Sequence, residues 1–163
     1  MTRLTPAFSR LAQENTAGFV AYVMAGDPDV ETTLEMMRGL AEAGADVIEL
    51  GAPFTDPMAD GPTIQRAAIR ALAGGMTLKG VLEIIARFRE TNADTPVVVM
   101  GYANPFFSYG YADFCSDAAE AGADGVICVD LPPEEDAEFR TALSDNQLSL
   151  IRLAAPTTHD DRL

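Results

Sequence analysis

Positive charge is scarce in this sequence. Lysine and arginine together number 11 against 25 aspartates and glutamates, which gives a formal net charge of −14 at pH 7. Nucleic acids and anionic membrane surfaces bind proteins through clustered cations. The composition therefore argues against nucleic acid and against a membrane surface as partners.

Cysteine and histidine are also rare. The sequence has two cysteines, Cys115 and Cys128, and one histidine, His159, without a C-x-x-C pair. This argues against a zinc site and against a disulfide framework. We expect two buried structural thiols in a reducing compartment.

Targeting and membrane-spanning segments are absent as well. The opening residues, M-T-R-L-T-P-A-F-S-R-L, lack the apolar stretch of a signal peptide, and no apolar run approaches the length of a transmembrane helix. These absences predict a soluble, cytoplasmic protein. With 163 residues, 48% of them hydrophobic, the chain is long enough to bury one sizeable core.

What the sequence does contain is a regular alternation of two patterns. Short apolar runs predict strands, and segments with apolar residues at three- and four-residue spacing predict helices. The predicted strands cover residues 19–24, 47–50, 96–101, 125–129 and 148–153. A helix over residues 6–14 precedes the first strand, and Pro62 suits the first turn of a later helix that Gly74 and Gly75 end.

An internal repeat supports this alternation. L-A-E-A-G-A-D-V-I-E-L, from residue 40, recurs as A-A-E-A-G-A-D-G-V-I-C, from residue 118. Both copies have the pattern of a helix end, a capping glycine and a strand. Repeated strand–helix units with nearly continuous apolar strands predict a parallel sheet covered by helices.

Two architectures fit that pattern: an open doubly wound sheet and a (β/α)₈ TIM barrel. No G-x-G-x-x-G follows the first strand, which weakens the dinucleotide-binding version of the open sheet. The long loops follow strands, as in barrels, but a complete barrel needs eight strands and about 250 residues. We therefore expect residues 1–163 to form a single α/β domain, an incomplete barrel of about five units that lacks the C-terminal three.

One motif points to chemistry: E-L-G-A-P-F-T-D-P-M-A-D-G-P-T-I-Q, residues 49–65. Glu49 lies in the apolar strand V-I-E-L, where desolvation should raise its pKa. Asp60 lies in the following Gly/Pro loop, near the N-terminus of the helix that starts at Pro62, which favours its ionised form. Catalytic residues of barrels lie at such strand ends. On residue pattern alone, Glu49 could equally pair with a buried cation, and Asp60 could satisfy the helix N-terminus.

Three blocks together carry a family resemblance: F-V-A-Y-V-M-A-G-D-P, the block at residues 49–65, and V-V-V-M-G-Y-A-N-P-F-F-S-Y-G. The chain resembles the tryptophan synthase alpha subunit family over its whole length. The resemblance implies a lyase that cleaves indole-3-glycerol phosphate to indole and glyceraldehyde 3-phosphate by a retro-aldol reaction. Glu49 matches the general acid/base that protonates the indole ring, and Asp60 matches the carboxylate at the indole N–H. No metal or organic cofactor is implied.

The resemblance also implies binding residues. Five positions match contacts to the indole end of the substrate: Tyr22, Met100, Tyr102, Ile127 and Val129. For Met100, Ile127 and Val129, filling of the barrel core is about as good an explanation. Four positions match loop residues that meet a pyridoxal-phosphate-bearing beta subunit in an alpha2-beta2 assembly: Pro53, Asp56, Asn104 and Phe107. The preference of these residue types for turns also explains them. Asp130 is either a loop-anchoring acceptor or a subunit-signalling residue.

Two other functions stay open. The first is a non-catalytic fragment that binds the beta subunit and modulates it. The second is a different barrel enzyme acting on a related phosphate ester, such as a decarboxylating synthase with a lysine at a strand end. The single lysine, Lys79, lies outside the predicted strands, so this second alternative is weak.

Overall fold

The sheet is parallel, and its strands follow one another in chain order. A computed structural model describes residues 2–160, and the strand order is β1-β2-β3-β4-β5. The strands are β1 Val20–Met24, β2 Val47–Gly51, β3 Val97–Gly101, β4 Gly125–Cys128 and β5 Ser149–Ile151. The helices are α1 Leu4–Glu14, α2 Val30–Glu42, α3 Pro62–Ala73, α4 Leu78–Arg89, α5 Ala103–Tyr109, α6 Tyr111–Ala121 and α7 Ala137–Asp145.

This arrangement confirms the expected fold class, an α/β partial barrel with five parallel strands. Each predicted strand lies within two residues of an observed one, and α1 starts two residues earlier than expected. Within residues 2–160, β1 and β5 each pair on one side only. Phe19, Val20 and Leu153, at these two edges, are exposed.

Local sequence signals explain where the helices begin and end. The Asp29 side chain accepts a hydrogen bond from the Thr32 amide at the start of α2, and Pro62 occupies the first turn of α3. In both copies of the internal repeat, a glycine with a positive φ angle follows the helix. Gly44 and Gly122 have φ angles of +94° and +91°, a conformation that glycine adopts without the steric cost of a Cβ.

One helix was missed. Asn104 and Phe107 were expected in a loop, and that expectation is wrong because both lie in α5. The N-P dipeptide suggested a turn, but Pro105 is the third residue of this helix. A proline in the first turn costs little, since the N–H it lacks would have no partner within the helix.

Apolar residues cover both faces of the sheet. The outer face packs against the helices and includes Ile48, Leu50, Val97 and Val99. The inner face, which is the concave side of the arc, carries a smaller cluster of Leu4, Val47, Val98 and Ile127, with Met100, Val129 and Ile151 packed against it. Leu4 belongs to α1, so the N-terminal helix covers part of the inner face.

A buried ion-pair cluster fixes the N-terminal end of the strands. Asp124 is 1% exposed and pairs with Arg89 at 2.9 Å and with Arg3 at 3.1 Å. The same carboxylate accepts the Val97 amide at 2.9 Å and the Arg3 amide at 2.8 Å. The cluster therefore ties α1 and α4 to the starts of β3 and β4, opposite to the end where barrel enzymes place their chemistry.

Both cysteines are free thiols, as the sequence predicts. Cys115 lies in α6 and Cys128 ends β4, and both are buried. None of the helices in residues 2–160 is long and apolar enough to cross a membrane.

Candidate active site

The alternation of β2 places Glu49 on the inner face. Ile48 and Leu50 pack against the helices, whereas Val47 belongs to the inner cluster. Since successive strand residues point to opposite faces, Glu49 faces the same way as Val47. Its register partner on β1 is Tyr22, and its partner on β3 is Val98.

Glu49 is half-buried, and desolvation raises its pKa above the ordinary value. No ion pair in the described part of the chain includes Glu49. The interpretation of Glu49 as one half of a buried structural salt bridge therefore has no support in residues 2–160. A carboxyl group whose proton is retained by burial is suited to act as a general acid.

Asp60 is held by a tyrosine rather than by a helix. The Tyr102 hydroxyl donates to Asp60 Oδ1 at 3.0 Å and accepts the Ala59 amide at 3.1 Å. No side chain caps α3, whose N-cap residue is Gly61. The alternative role of Asp60, satisfying the free N–H groups of that helix, is therefore not what the structure has. The Asp60 carbonyl accepts a hydrogen bond from the Gln65 side chain at 2.8 Å.

Tyr22 lies across the end of β2. A Cβ atom built on Gly51 would lie 2.7 Å from Tyr22 Cζ and 2.9 Å from Cε2, so the ring occupies the space that any other residue at position 51 would need. The Tyr22 hydroxyl makes one weak hydrogen bond, to Met24 Sδ at 3.9 Å. Burial raises the pKa of Tyr22, and the charges of Asp60, Tyr102 and Glu49 raise it further. A neutral phenol therefore lies close to both carboxylates.

Three further predicted residues extend this surface. Met100 is the register partner of Gly51 on one side and of Ile127 on the other. Ile127 is buried in the inner cluster, and Met100 and Val129 pack against it while staying half-exposed. The structure thus brings Tyr22, Glu49 and Met100 onto one concave surface with Ile127 and Val129.

Tyr102 differs from these residues. Its side chain is 3% exposed, its ring lies 5.6 Å from the Phe54 ring between centroids, and its hydroxyl is bonded to the 52–61 loop. Burial raises its pKa, as does the hydrogen bond that it donates to Asp60.

The four residues expected to meet a partner lie on the rim. Asp56, Asn104 and Phe107 are exposed, with Phe107 exposed by 70%, and Pro53 is half-buried. Asp130 is exposed and accepts the Ala103 amide at 2.7 Å. This is the loop-anchoring role that the sequence left as one of two options.

Gly51 is the functional position that sequence reasoning missed. It was read as part of the motif at residues 49–65, without a role of its own. A glycine at a strand end often marks a close approach of another group, and that signal was available. The approaching group, Tyr22, lies 29 positions earlier on the neighbouring strand, which the pattern could not indicate.

A cavity of about 490 Å³ lies at the end of β5, and its lining includes Cys128, Asp136, Arg152 and His159 but neither Glu49 nor Asp60. The carboxylates Glu49 and Asp60 line an open concave face. Within residues 2–160 there is no group of three or more histidine, cysteine, aspartate or glutamate side chains that could hold a metal ion.

Comparison with known proteins adds a family relationship to this geometry. A model of the family described as "Tryptophan synthase alpha chain" matches residues 8–163. A tryptophan synthase alpha chain from Caulobacter sp. (strain K31) is 58% identical over 161 residues, which cover 99% of this chain and 58% of that protein. The chain thus spans less than two thirds of the length of this relative.

Solved structures show the same relationship. Tryptophan synthase subunit alpha from Legionella pneumophila str. Paris superposes with a TM-score of 0.97 at 46% identity, over 99% of this chain and 62% of that one. A chain of the tryptophan synthase a2b2 complex from the hyperthermophile Pyrococcus furiosus gives a TM-score of 0.84 at 41% identity, over 89% and 59% of the two chains.

Proposed function

The chain belongs to the tryptophan synthase alpha chain family, and on that premise we propose that it acts as a carbon–carbon lyase. The substrate is indole-3-glycerol phosphate, and the products are indole and glyceraldehyde 3-phosphate. The observation that supports this most is Glu49: a half-buried carboxyl group with a raised pKa on the inner face, opposite Tyr22 in register. The domain comprises residues 1–163 and corresponds to the first five β/α units of the family barrel.

The reaction needs a proton donor and a negative charge. Glu49 gives its proton to the ring carbon that carries the glycerol side chain, which leaves a positive charge on the indole system. Asp60 stabilises that charge at the ring N–H. The Glu49 carboxylate then takes the proton of the adjacent glycerol hydroxyl, whose carbon becomes the aldehyde carbon as the carbon–carbon bond breaks, and the bond electrons return to the ring. Every step is a proton transfer or a heterolytic cleavage, so the chemistry calls for no metal or organic cofactor.

Tyr22, Met100, Tyr102, Ile127 and Val129 form or border the surface that receives the indole ring. This assignment is supported by their common inner-face position or, for Tyr102, by its bond to Asp60. The phenol of Tyr22 and the apolar side chains provide a concave, largely apolar surface, which suits an aromatic ring with one polar edge.

The test is indole release from indole-3-glycerol phosphate by the purified protein, with an intact mass near 17.4 kDa confirmed on the same sample. The Glu49→Gln variant keeps the size and removes the proton donor. We expect indole from the wild-type protein and at least about 100-fold less from the variant, because general acid catalysis contributes about 10²–10⁴-fold. Equal rates for the two proteins would exclude this role of Glu49.

A second function is supported by the exposed rim: a module that binds a beta subunit and modulates it without turnover. Asp56, Asn104 and Phe107 are exposed at the end of the strands where a partner would sit, and Met58 is 78% exposed. Phenylalanine and methionine are enriched at protein contact surfaces, and both of these side chains are exposed. The beta subunit would bring pyridoxal phosphate to an alpha2-beta2 assembly.

Adding the protein to a beta subunit and following conversion of indole and serine tests this alternative. Stimulation without any lyase activity of its own would favour the module. Loss of stimulation in Phe107→Ala, with lyase activity kept, would show that the rim and the inner face act separately. We also propose a cytoplasmic location, which the free buried thiols Cys115 and Cys128 support.

A further inference from the structure

The Tyr102 side chain joins three parts of the site. It follows directly after β3, its ring packs beside Phe54, and its hydroxyl reaches Ala59 and Asp60 in the loop after β2. A phenolic hydroxyl has one proton to donate and lone pairs to accept with. The proton is used on Asp60 Oδ1 and a lone pair on the Ala59 amide.

We propose that Tyr102 is a positioning residue for Asp60 and acts on the substrate through that carboxylate, not by contact with the indole ring. This inference rests on the proposed function and deepens it by assigning different tasks to the two oxygens of Asp60. Oδ1 is held by Tyr102, and Oδ2 is the oxygen presented to the indole N–H.

Burial explains why the Tyr102 hydroxyl can hold a loop in place. The side chain is 3% exposed, so water competes little for its hydrogen bonds, and a hydrogen bond to a charged group is stronger than one between neutral groups. The backbone that carries Tyr102 is itself fixed. Its neighbour Ala103 donates its amide to Asp130, and α5 begins at Ala103.

One other hydrogen bond ties this loop to β3, from the Ala52 amide to the Met100 carbonyl at 2.8 Å, and it lies eight residues before Asp60. Ala59 is exposed and Asp60 half-buried, and the backbone bonds Asp60 N to Pro57 O and Gln65 Nε2 to Asp60 O are local to the loop and the start of α3. The hydrogen bond from the Tyr102 hydroxyl fixes the position of the Asp60 carboxylate relative to the end of β3. Within residues 2–160 no hydrogen bond engages Asp60 Oδ2.

The test compares the binding of indole and benzofuran, followed by NMR titration of the full chain. Benzofuran has nearly the same shape but carries an oxygen in place of the N–H, so the preference for indole reports on the hydrogen bond that the N–H donates, and the Asp60 variant tests which group accepts it. We expect at least about a 10-fold preference in the wild-type protein, the effect of one hydrogen bond to a charged group. Tyr102→Phe keeps the ring and should reduce the preference to about 2-fold or less, and Asp60→Asn, which keeps an acceptor oxygen but loses the charge, should also lower it.

A double-mutant cycle separates positioning from direct contact. If Tyr102 acts through Asp60, adding Tyr102→Phe to Asp60→Asn changes the preference no further. The matched control is Tyr109→Phe, which removes another tyrosine–aspartate hydrogen bond, 2.6 Å from Tyr109 to Asp117, away from the site. This control should keep the wild-type preference.

Three results would overturn the inference: an unchanged preference in Tyr102→Phe, equal effects of Tyr102→Phe with and without Asp60→Asn, or no preference in the wild-type protein. Failure of the proposed function has a different signature. In that case the preference for indole depends on Tyr102 as described, but the wild-type protein releases no indole from indole-3-glycerol phosphate.

Discussion

Replacing Gly51 with alanine tests whether the inner face has the geometry described. The added Cβ would fall 2.7 Å from Tyr22 Cζ and 2.9 Å from Cε2, well inside the contact distance between carbon atoms. The atoms concerned lie at the hydroxyl end of the ring, and a rigid ring can move them away only by rotating as a whole about the bonds at its Cβ. Either Tyr22 turns away or β1 and β2 shift.

The magnitude follows from the cost of overpacking. Adding a methyl group to a well-packed place costs about 1–3 kcal/mol. For a chain of 163 residues the entropy of unfolding is about 0.34 kcal/mol/K, so the melting temperature should fall by about 3–9 °C. Thermal unfolding followed by circular dichroism measures this shift.

Two comparisons decide whether Tyr22 is the cause. Gly39→Ala adds the same methyl group in α2, where nothing lies within 4 Å, and should raise the melting temperature slightly because alanine favours the helix. In a Tyr22→Leu background the cost of Gly51→Ala should shrink. The account is refuted if Gly51→Ala melts like the wild-type protein, or if it loses as much stability when Tyr22 is absent.

The remaining predictions concern buried groups. Burial raises the pKa of Glu49 above its ordinary value of 4.5, so the folded protein holds that proton more tightly and loses stability as the pH rises through the raised pKa. Glu49→Gln should therefore melt at a higher temperature than the wild-type protein at pH 7, and this gain should vanish as the pH falls towards and below 4.5. A difference in melting temperature that stays constant with pH would contradict this. Asp124→Ala leaves the nearly buried Arg89 guanidinium without its charge partner. Urea denaturation should show that the free energy of unfolding falls by about 3–5 kcal/mol. A fall of less than about 1 kcal/mol would mean that the buried ion pairs do not stabilise the fold as described. Burial raises the pKa values of the Cys115 and Cys128 thiols to about 12. Neither thiol should therefore react with a thiol reagent at pH 8 until the protein unfolds. Rapid labelling of the native protein would refute this prediction.

The strands and most helices could be predicted because their signals are local. Apolar runs bounded by glycine and proline mark the strands, and Asp29, Pro62, Gly44 and Gly122 each act within one turn of their own position. Helix α5 was missed because the cue used for it, the N-P dipeptide, is compatible with both a turn and a first helical turn. The seven residues of α5 are too few to show a helical period.

The sequence singled out candidate site residues, whose roles remain predictions, but it did not predict their contacts. Glu49 and Asp60 stand out in the sequence because a carboxylate in an apolar strand and one in a Gly/Pro loop are unusual. One of the two interpretations of Asp60 had its carboxylate satisfy the helix that follows it, and the carboxylate interacts with Tyr102 instead, 42 positions later. Contacts across strands depend on register and on side-chain direction, and neither is encoded in the spacing within one segment.

The central claim is that Glu49 protonates the indole ring, and hydrogen exchange at carbon 3 of indole tests it most directly. Exchange of that hydrogen for deuterium in D₂O, followed by NMR, requires the same protonation and does not require the phosphate of the substrate. The wild-type protein should accelerate exchange well above the rate in buffer, and Glu49→Gln should not exceed that rate. Equal exchange with the wild-type protein and Glu49→Gln would contradict the account.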